Sequence, residues 1–441
     1  MDSAGDNGYS YAVSAIEHGA VAVVSYKDME LSVPVIVSCD MEETMAKLSK
    51  RFYFQKEKNF KLIGVTGTNG KTTVTHLIKD ILENCGESVG IIGTNGIFLK
   101  GEKTSLYKST PTTPNSLELW QILAAMQKEK VENVVMEVSS HALSQKRVYG
   151  CEFDVGVFTN LSRDHLDFHK TLDEYKKAKR ELFNISKKSV INIDDETGRW
   201  IYSDIKSEKM SIGFFDADLL VNASKLKEDG SEFGLEYMDK KAWVNFSLPG
   251  RFNIYNALSA AGACMFLGKT LEEIREGLKN AKPVRGRMEN VASKKDFSVI
   301  IDYAHTPDGL EKIIHTAKGF SKGRVITLFG CGGDRDKTKR PIMGEISGKY
   351  SDITIITSDN PRTEKPMDII CDIYEGIKRT KGKFLIVPER RMAIENAIDI
   401  ARTGDVILLA GKGQEEYQII GKEKLHFDER EIVEECIKKK G

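Results

Sequence analysis

Residues 64–73, GVTGTNGKTT, follow the apolar run KLIG and precede a segment in which Val74, Leu77, Ile78, Ile81, Leu82 and Cys85 recur at helical spacing. Strand, glycine-rich turn and helix in that order form a phosphate cradle on an open α/β sheet. The glycines let the backbone fold around an anion with its N–H groups inward, so that Gly67, Thr68, Asn69 and Gly70 line the loop. Lys71 supplies a point charge to the terminal phosphates, Thr72 offers a hydroxyl to magnesium, and Thr73 continues the run into the helix. The stretch predicts a nucleoside triphosphate site. Val65 stands where the usual spacing carries a further glycine, which points to a particular branch of P-loop proteins. A glycine-rich surface turn is the alternative.

Strand-like runs NVVMEV, DVGVFTN and SVINI come next, separated by helical patterns, as in the βαβ units of a parallel sheet. From about Met210 to Pro249 the pattern alternates as antiparallel strands, then gives way to LPGRFNIYNALSAAGACMFLG, a turn leading into a helix rich in small residues. A short helix, TLEEIREGLKNA, precedes Pro283. The runs FSVIIDY, RVITLFG, DITIITSD, FLIV and DVILLAG then restart the alternation, enough for a separate doubly wound domain. A chain of 441 residues exceeds one ordinary domain, and boundaries are expected near residues 58 and 282. Residues 1–58 hold one clear βα repeat, AVSAIEHGAVAVV, with VPVIVS after it.

The 65 basic and 65 acidic side chains balance, which excludes the broad positive field of a general nucleic-acid or anionic-membrane binder. Seven cysteines never fall at zinc-ligand or redox spacing and are expected as buried thiols in a reducing compartment. No apolar run is long enough to span a bilayer, and the polar start MDSAGDNGYS lacks a signal-peptide core. A cytoplasmic protein without membrane insertion is expected.

Ten motifs, in order, carry a family resemblance: GVTGTNGKTT, STPTTPNS, MEVSSHALSQKRV, FTNLSRDHLDFHKTLDEYKKAK, GRFNIYNALSAA, VRGRMEN, DYAHTPDGLE, GCGGDRDKTKRPIMG, SDNPRTEKP and LAGKGQE. The chain resembles the Mur ligases that build the peptide stem of peptidoglycan, and among them those that add the third amino acid. The resemblance covers nearly the whole chain. It implies three α/β domains: a partial N-terminal UDP-substrate domain (1–58), a central P-loop ATP-binding domain (59–282) and a Rossmann-like, doubly wound amino-acid-binding domain (283–441). It further implies ATP-dependent joining of a carboxylate to an amine through an acyl phosphate, on UDP-N-acetylmuramoyl-L-alanyl-D-glutamate, by a monomer. A lysine-adding Mur ligase, a folylpolyglutamate synthetase-like ligase and a P-loop ATPase that no longer ligates are the competing readings.

Phosphoryl transfer to a carboxylate brings two anions together, so positive charge and fixed geometry must do most of the catalysis. Lys71 and magnesium suit this. Glu137 ends the strand-like NVVMEV, where a parallel sheet places functional groups, and Ser139, Ser140 and His141 follow it. His165 follows the apolar VGVF and would project near Glu137. Lys179 lies in a lysine-rich helix that reads, on its residues alone, as a solvated face. The resemblance implies instead that Lys179 is carbamylated and holds a second magnesium together with His165.

The resemblance also assigns Thr112, Thr113, Ser139, Gln145 and Arg147 to the muramoyl dipeptide, with Pro111 replacing an asparagine of some relatives. Asn256 matches a residue beside the adenine, although it could equally stabilise its helix, and Asp302, Tyr303 and His305 would approach the nucleotide from the C-terminal domain. A guanidinium that pairs with the second carboxylate of meso-diaminopimelate leaves an unpaired charge when lysine binds. In the family the motif Asp-Asn-Pro-Arg goes with diaminopimelate. Asp359, Asn360, Pro361 and Arg362 are therefore the expected specificity element, with Arg335, Gly411 and Glu415 completing the pocket. A plain turn at this Asn-Pro is compatible with that role. Gln414 departs from the histidine usual in GKGHE. Strands bearing DSR and a PGDLFVA-like run, which normally precede the GYSYAVSAIEHGAVAVV-like stretch, are absent, so an exposed sheet edge and weakened UDP recognition are expected.

Overall fold

The computed structural model describes residues 7–55, 57–227, 230–291 and 296–440. Its largest sheet has eleven strands, in the spatial order Lys240–Phe246, Gly230–Tyr237, Leu219–Lys227, Glu208–Gly213, Ser186–Asn192, Phe153–Phe158, Lys61–Thr66, Asn133–Glu137, Val89–Gly93, Gly96–Leu99 and Glu102–Lys103. The middle of this sheet is parallel and both ends turn antiparallel. Interior strands such as Asn133–Glu137 and Val89–Gly93 are buried at every position, because helices cover both faces.

The Glu208–Gly213 strand corrects the expectation for residues from Met210 onward. It pairs parallel to Ser186–Asn192, reached through the crossover helix Glu196–Asp204, and only the three strands from Leu219 to Phe246 form an antiparallel meander. Met210 to Gly213 are all buried, as an interior parallel strand requires, so the apolar alternation expected of a half-exposed strand does not apply there. The small-residue helix Arg251–Phe266 packs against the P-loop helix Lys71–Asn84, and Leu271–Lys279 follows with a capping box formed by Thr270 and Glu273.

A second sheet of six strands runs in the order Glu289–Asn290, Ser298–Asp302, Val406–Ala410, Val325–Phe329, Ile353–Ile356 and Lys383–Ile386. All its pairs but the first are parallel. Separate apolar clusters fill its two faces, one around Ile314, Phe329 and Ile373, the other around Ile326, Ile394 and Leu409.

Before the large sheet lie the helix Asn7–Glu17, a two-stranded parallel pair Val23–Ser25 and Val35–Val37, and the helix Met41–Tyr53. Asp40 caps that last helix by accepting from the Glu43 amide, and the helix packs against Ser116–Lys128. Ile36 and Val37 of the two-stranded pair are exposed. All seven cysteines are free; Cys39 and Cys371 are exposed rather than buried as expected, since both sit on surfaces outside the apolar clusters.

Candidate active site

Four adjacent parallel strands, Phe153–Phe158, Lys61–Thr66, Asn133–Glu137 and Val89–Gly93, end on the same edge of the large sheet, and the loops leaving them converge. The first contribution is the P-loop. Gly70 has φ 89 and lies so near Asn256 that a Cβ there would approach the Asn256 Oδ1 to 2.3 Å, so the loop can make this turn only with glycine. Asn256 itself donates to Asn253 one helical turn back. The Lys71 Nζ donates to the carbonyls of Gly67 and Thr68, at 2.9 Å each, which folds its ammonium back over the loop.

Glu137 is almost fully buried, and donors surround it. Thr72 Oγ1 donates to its Oε1 at 3.0 Å, the Thr94 amide to Oε1 at 2.7 Å, and Thr94 Oγ1 to Oε2 at 3.1 Å. A carboxylate beside a P-loop hydroxyl supplies two hard oxygens to a cation such as Mg2+, and the neighbouring Lys71 fits the terminal phosphates of a nucleotide. Thr113 Oγ1 donates to the Glu137 carbonyl, the Ser139 amide donates to Thr113 Oγ1, and Thr112 bonds Thr94. Arg147 donates to the Thr113 carbonyl and to Gln145. The five residues assigned to the muramoyl dipeptide thus gather around this one strand end.

His165 takes a left-handed backbone, φ 55, at the start of the short helix Leu166–His169. Its Nε2 lies 3.3 Å from Asp164 Oδ2, and its ring packs on His141 at 4.8 Å. Burial lowers its imidazole pKa against the pull of Asp164, which favours the neutral ring a metal ligand needs. Lys179, on the helix Leu172–Asn184, is buried rather than solvated: its Nζ donates to the Gly67 carbonyl at 2.8 Å, the same oxygen that Lys71 uses. Burial holds its amine well below the usual lysine range, with the Lys71 charge acting in the same direction. An uncharged amine is the form that adds to carbon dioxide.

The second sheet approaches from above the P-loop. Asp302 ends a strand, but its carboxylate accepts from the Met288 and Ala304 amides at 2.7 Å each, so it anchors a turn. The Tyr303 and His305 rings meet edge to face at 4.7 Å, and His305 Nε2 lies 3.7 Å from Asp164. Asn69 donates to Asp308 at 3.0 Å. Arg287, within the quoted VRGRMEN but assigned no role from sequence, donates to Thr72 Oγ1 at 3.0 Å and covers the Tyr303 ring. Its Nε is buried with no hydrogen-bond partner.

The loops after Phe329, Ile356 and Ala410 bring the remaining candidates together, again at strand C-termini. Asn360 donates to Glu415 at 2.8 Å, and Arg362 donates to the Gly333 carbonyl at 2.7 Å. Arg362 has φ 51 and is tied by backbone bonds to Ile419 and Gly421. Gly411 abuts Asp359, and the Pro361 carbonyl lies against Gly333. Arg335 sits across Gly332 from Arg362, its exposed guanidinium bonded to the Asp334 carbonyl. Gln414 Oε1 is buried without a partner. Lys412 is a second residue that sequence reasoning passed over, although the quoted GKGQE contains it: its side chain is 0% exposed and bonds Asn360 and Glu415.

Residues 65–264 match the Mur ligase middle domain and residues 286–413 the Mur ligase glutamate ligase domain. The chain is 47% identical to UDP-N-acetylmuramoyl-L-alanyl-D-glutamate--2,6-diaminopimelate ligase 1 of Clostridium acetobutylicum, over 98% of this chain and 90% of that protein. The correspondingly named ligase of Clostridium botulinum is 46% identical over the same shares. A solved structure of a UDP-N-acetylmuramoyl-L-alanyl-D-glutamate--2,6-diaminopimelate ligase superposes with a TM-score of 0.70 at 32% identity, covering 99% of this chain and 90% of that one. Folylpolyglutamate synthase of Mycobacterium tuberculosis reaches a TM-score of 0.69 at 16% identity, covering 84% of this chain and 92% of that one, a likeness of fold alone. A P-loop beside a buried strand-end carboxylate, a second doubly wound sheet facing it, and identity along almost the entire length agree: the chain belongs to the Mur ligase family.

Proposed function

We propose that this chain is an ATP-dependent ligase that joins meso-diaminopimelate to the D-glutamyl carboxylate of UDP-N-acetylmuramoyl-L-alanyl-D-glutamate, forming a C–N bond in peptidoglycan synthesis. The observation that carries the substrate assignment is the loop at residues 359–362, which carries Arg362 two residues from Asn360, itself bonded to Glu415. A guanidinium and carboxylates gathered by one loop and its bonded neighbour suit an amino acid whose far end carries both a carboxylate and an ammonium. The identity to relatives named for diaminopimelate supports it. Lysine has no second carboxylate at its far end to offer Arg362.

In this reading Lys71 and the loop amides bind the ATP phosphates, while Thr72 and Glu137 hold one Mg2+ and His165 with carbamylated Lys179 a second. Metal ions there would neutralise charge on the phosphoryl group as it moves to the substrate carboxylate, giving the acyl phosphate. Lys71 and Arg287 offer fixed positive charge to the same oxygens. Thr112, Thr113, Ser139, Gln145 and Arg147 orient the muramoyl dipeptide so that its carboxylate faces them. The amine of the amino acid, held by the second sheet, then displaces phosphate.

The reading divides the chain near residues 58 and 282, supported by the absence of strand pairing across either position among the described residues. It takes the chain as a cytoplasmic monomer; among the described residues no helix is long and apolar enough to cross a membrane. Phosphate release measured with ATP, the UDP-muramoyl dipeptide and each candidate amino acid tests the function. Release that requires both the dipeptide and diaminopimelate is expected. Release indifferent to both would show a non-ligating ATPase, and release driven by lysine would move the chain to a lysine-adding ligase.

A further inference from the structure

Lys412 has no place in the chemistry described so far, yet it is one of the few ammonium groups wholly removed from solvent. Removing an ammonium from water costs several kcal/mol unless partners replace the water. Here they do. Its Nζ lies 3.1 Å from Asn360 Oδ1, 3.3 Å from Glu415 Oε2 and 3.6 Å from Asp359 Oδ1, with the Tyr417 and Phe427 rings 5.9 and 5.8 Å away. Gly411 before it has φ 112, a turn that directs the lysine inward beneath the loop at residues 359–362.

The bonds fix an orientation. Asn360 Oδ1 accepts from both Lys412 and the Ile419 amide, so the amide nitrogen must point the other way, and there it donates to Glu415 Oε2. Rotating that amide by half a turn would set its NH2 against an ammonium and a backbone N–H. Lys412 and Asn360 both engage Oε2 of Glu415, so neither bond uses Oε1. Asp359 Oδ1 is buried without a hydrogen bond, with Lys412 as its facing cation. Two carboxylates around one ammonium leave a net charge of one negative unit, which attracts a substrate ammonium without the repulsion of an uncompensated pair.

We propose that Lys412 is a positioning residue for the incoming amino acid, setting the amide of Asn360 and the carboxylates of Asp359 and Glu415 to receive an ammonium group beside Arg362. This rests on the ligase reading above. It acts on the amino-acid half of the reaction and leaves the nucleotide half alone, because Asn360, Glu415 and Asp359, its polar partners, are bonded, among the described residues, to no residue of the P-loop.

The test uses Lys412→Met and Lys412→Gln in the full chain, with three readouts. These are the KM values for diaminopimelate and ATP, the exchange of label between ADP and ATP with UDP-muramoyl dipeptide and no amino acid, and the thermal midpoint. Expected is a rise of about 10- to 100-fold in the diaminopimelate KM, the size of a lost charged hydrogen bond. The ATP KM and the exchange rate stay within about twofold of the parent. Lys412→Arg, which keeps the charge, recovers part of the loss. An unchanged diaminopimelate KM, an equal rise for ATP, or loss of the folded state in both neutral variants overturns the inference. A parent protein that shows no diaminopimelate-dependent phosphate release overturns the ligase reading itself, whereas an active parent with indifferent variants overturns only the role of Lys412.

Discussion

Arg362 joins a structural task, which its bonds define, to the recognition task proposed for it. Its N–H donates to the Ile419 carbonyl and its carbonyl accepts from Gly421, so the backbone is held at a φ of 51 that a non-glycine residue adopts at a cost of order 1 kcal/mol. One guanidinium arm is tied to the Gly333 carbonyl, which aims the rest of the fork. Arg362→Ala is expected to raise the KM for diaminopimelate by about 10- to 100-fold while the ATP constant barely moves. Equal losses for diaminopimelate and lysine in steady-state assays would assign the arginine to loop structure instead. Lys179 presents the converse case, a side chain whose value is its burial. Lys179→Ala should abolish ligation, and short carboxylic acids should restore part of it by supplying the oxygens of a carbamate. Mass spectrometry that finds the lysine unmodified during turnover would reject the carbamate. The candidate Arg362 was legible in the sequence because Asp-Asn-Pro-Arg is contiguous. Lys179 was legible only through resemblance, since the neighbouring Lys176 and Lys177 share its helix and its composition.

Elements set the distances that these residues need. The helices Lys339–Tyr350 and Pro366–Ile377 touch backbone to backbone: a Cβ on Gly376 would come 1.7 Å from the Pro341 carbonyl oxygen, and one on Gly344 2.1 Å from that of Ile373. Fully buried Arg340 starts this pair. Its guanidinium binds Glu364, Asp372 and the Gly332 carbonyl, while Glu364 accepts from the Asp334 amide. The helix pair therefore joins the loop at residues 332–335 to the loop at residues 359–364, the two walls that carry Arg335 and Arg362. Gly376→Ala should force the helices apart and cost about 1–3 kcal/mol, read as a lower thermal midpoint. The diaminopimelate KM should rise more than the ATP KM, and a melt indistinguishable from the parent would refute the close-packing argument. A helix after each of the strand-like runs RVITLFG and DITIITSD was implied by the βα alternation of the sequence. Their glycine contact was not, because a pattern reports which face is apolar and says nothing of how near the partner lies.

The whole molecule brings the second sheet's half onto the P-loop through Arg287 to Thr72 and Asn69 to Asp308, and onto the loop after Phe158 through Arg163 to Thr338. Of these, the Arg287 contact brings a guanidinium to the P-loop hydroxyl of Thr72. A positive group that meets charge developing in a dry cleft contributes several kcal/mol to the transition state. Arg287→Ala should therefore lower the ligation rate by at least about tenfold with little change in thermal midpoint. A variant with parental turnover would make the contact a resting-state tie and nothing more.

The amino-acid sequence by itself determined the P-loop, the succession of strands and helices, the ordered motifs and the Asp-Asn-Pro-Arg element, because each is built from residues adjacent along the chain. Tertiary structure alone decided the rest. It placed Glu208–Gly213 in the parallel sheet, because continuous burial comes from the neighbours on either side and not from the strand itself. It brought Arg287 to Thr72 across 215 residues of chain. It chose Lys179 from a run of similar lysines, because helical spacing defines a face and only the sheet beneath decides which face leaves water. It also made Lys412 the centre of three polar partners, since an ammonium in a glycine turn is an ordinary surface group until a second loop closes over it.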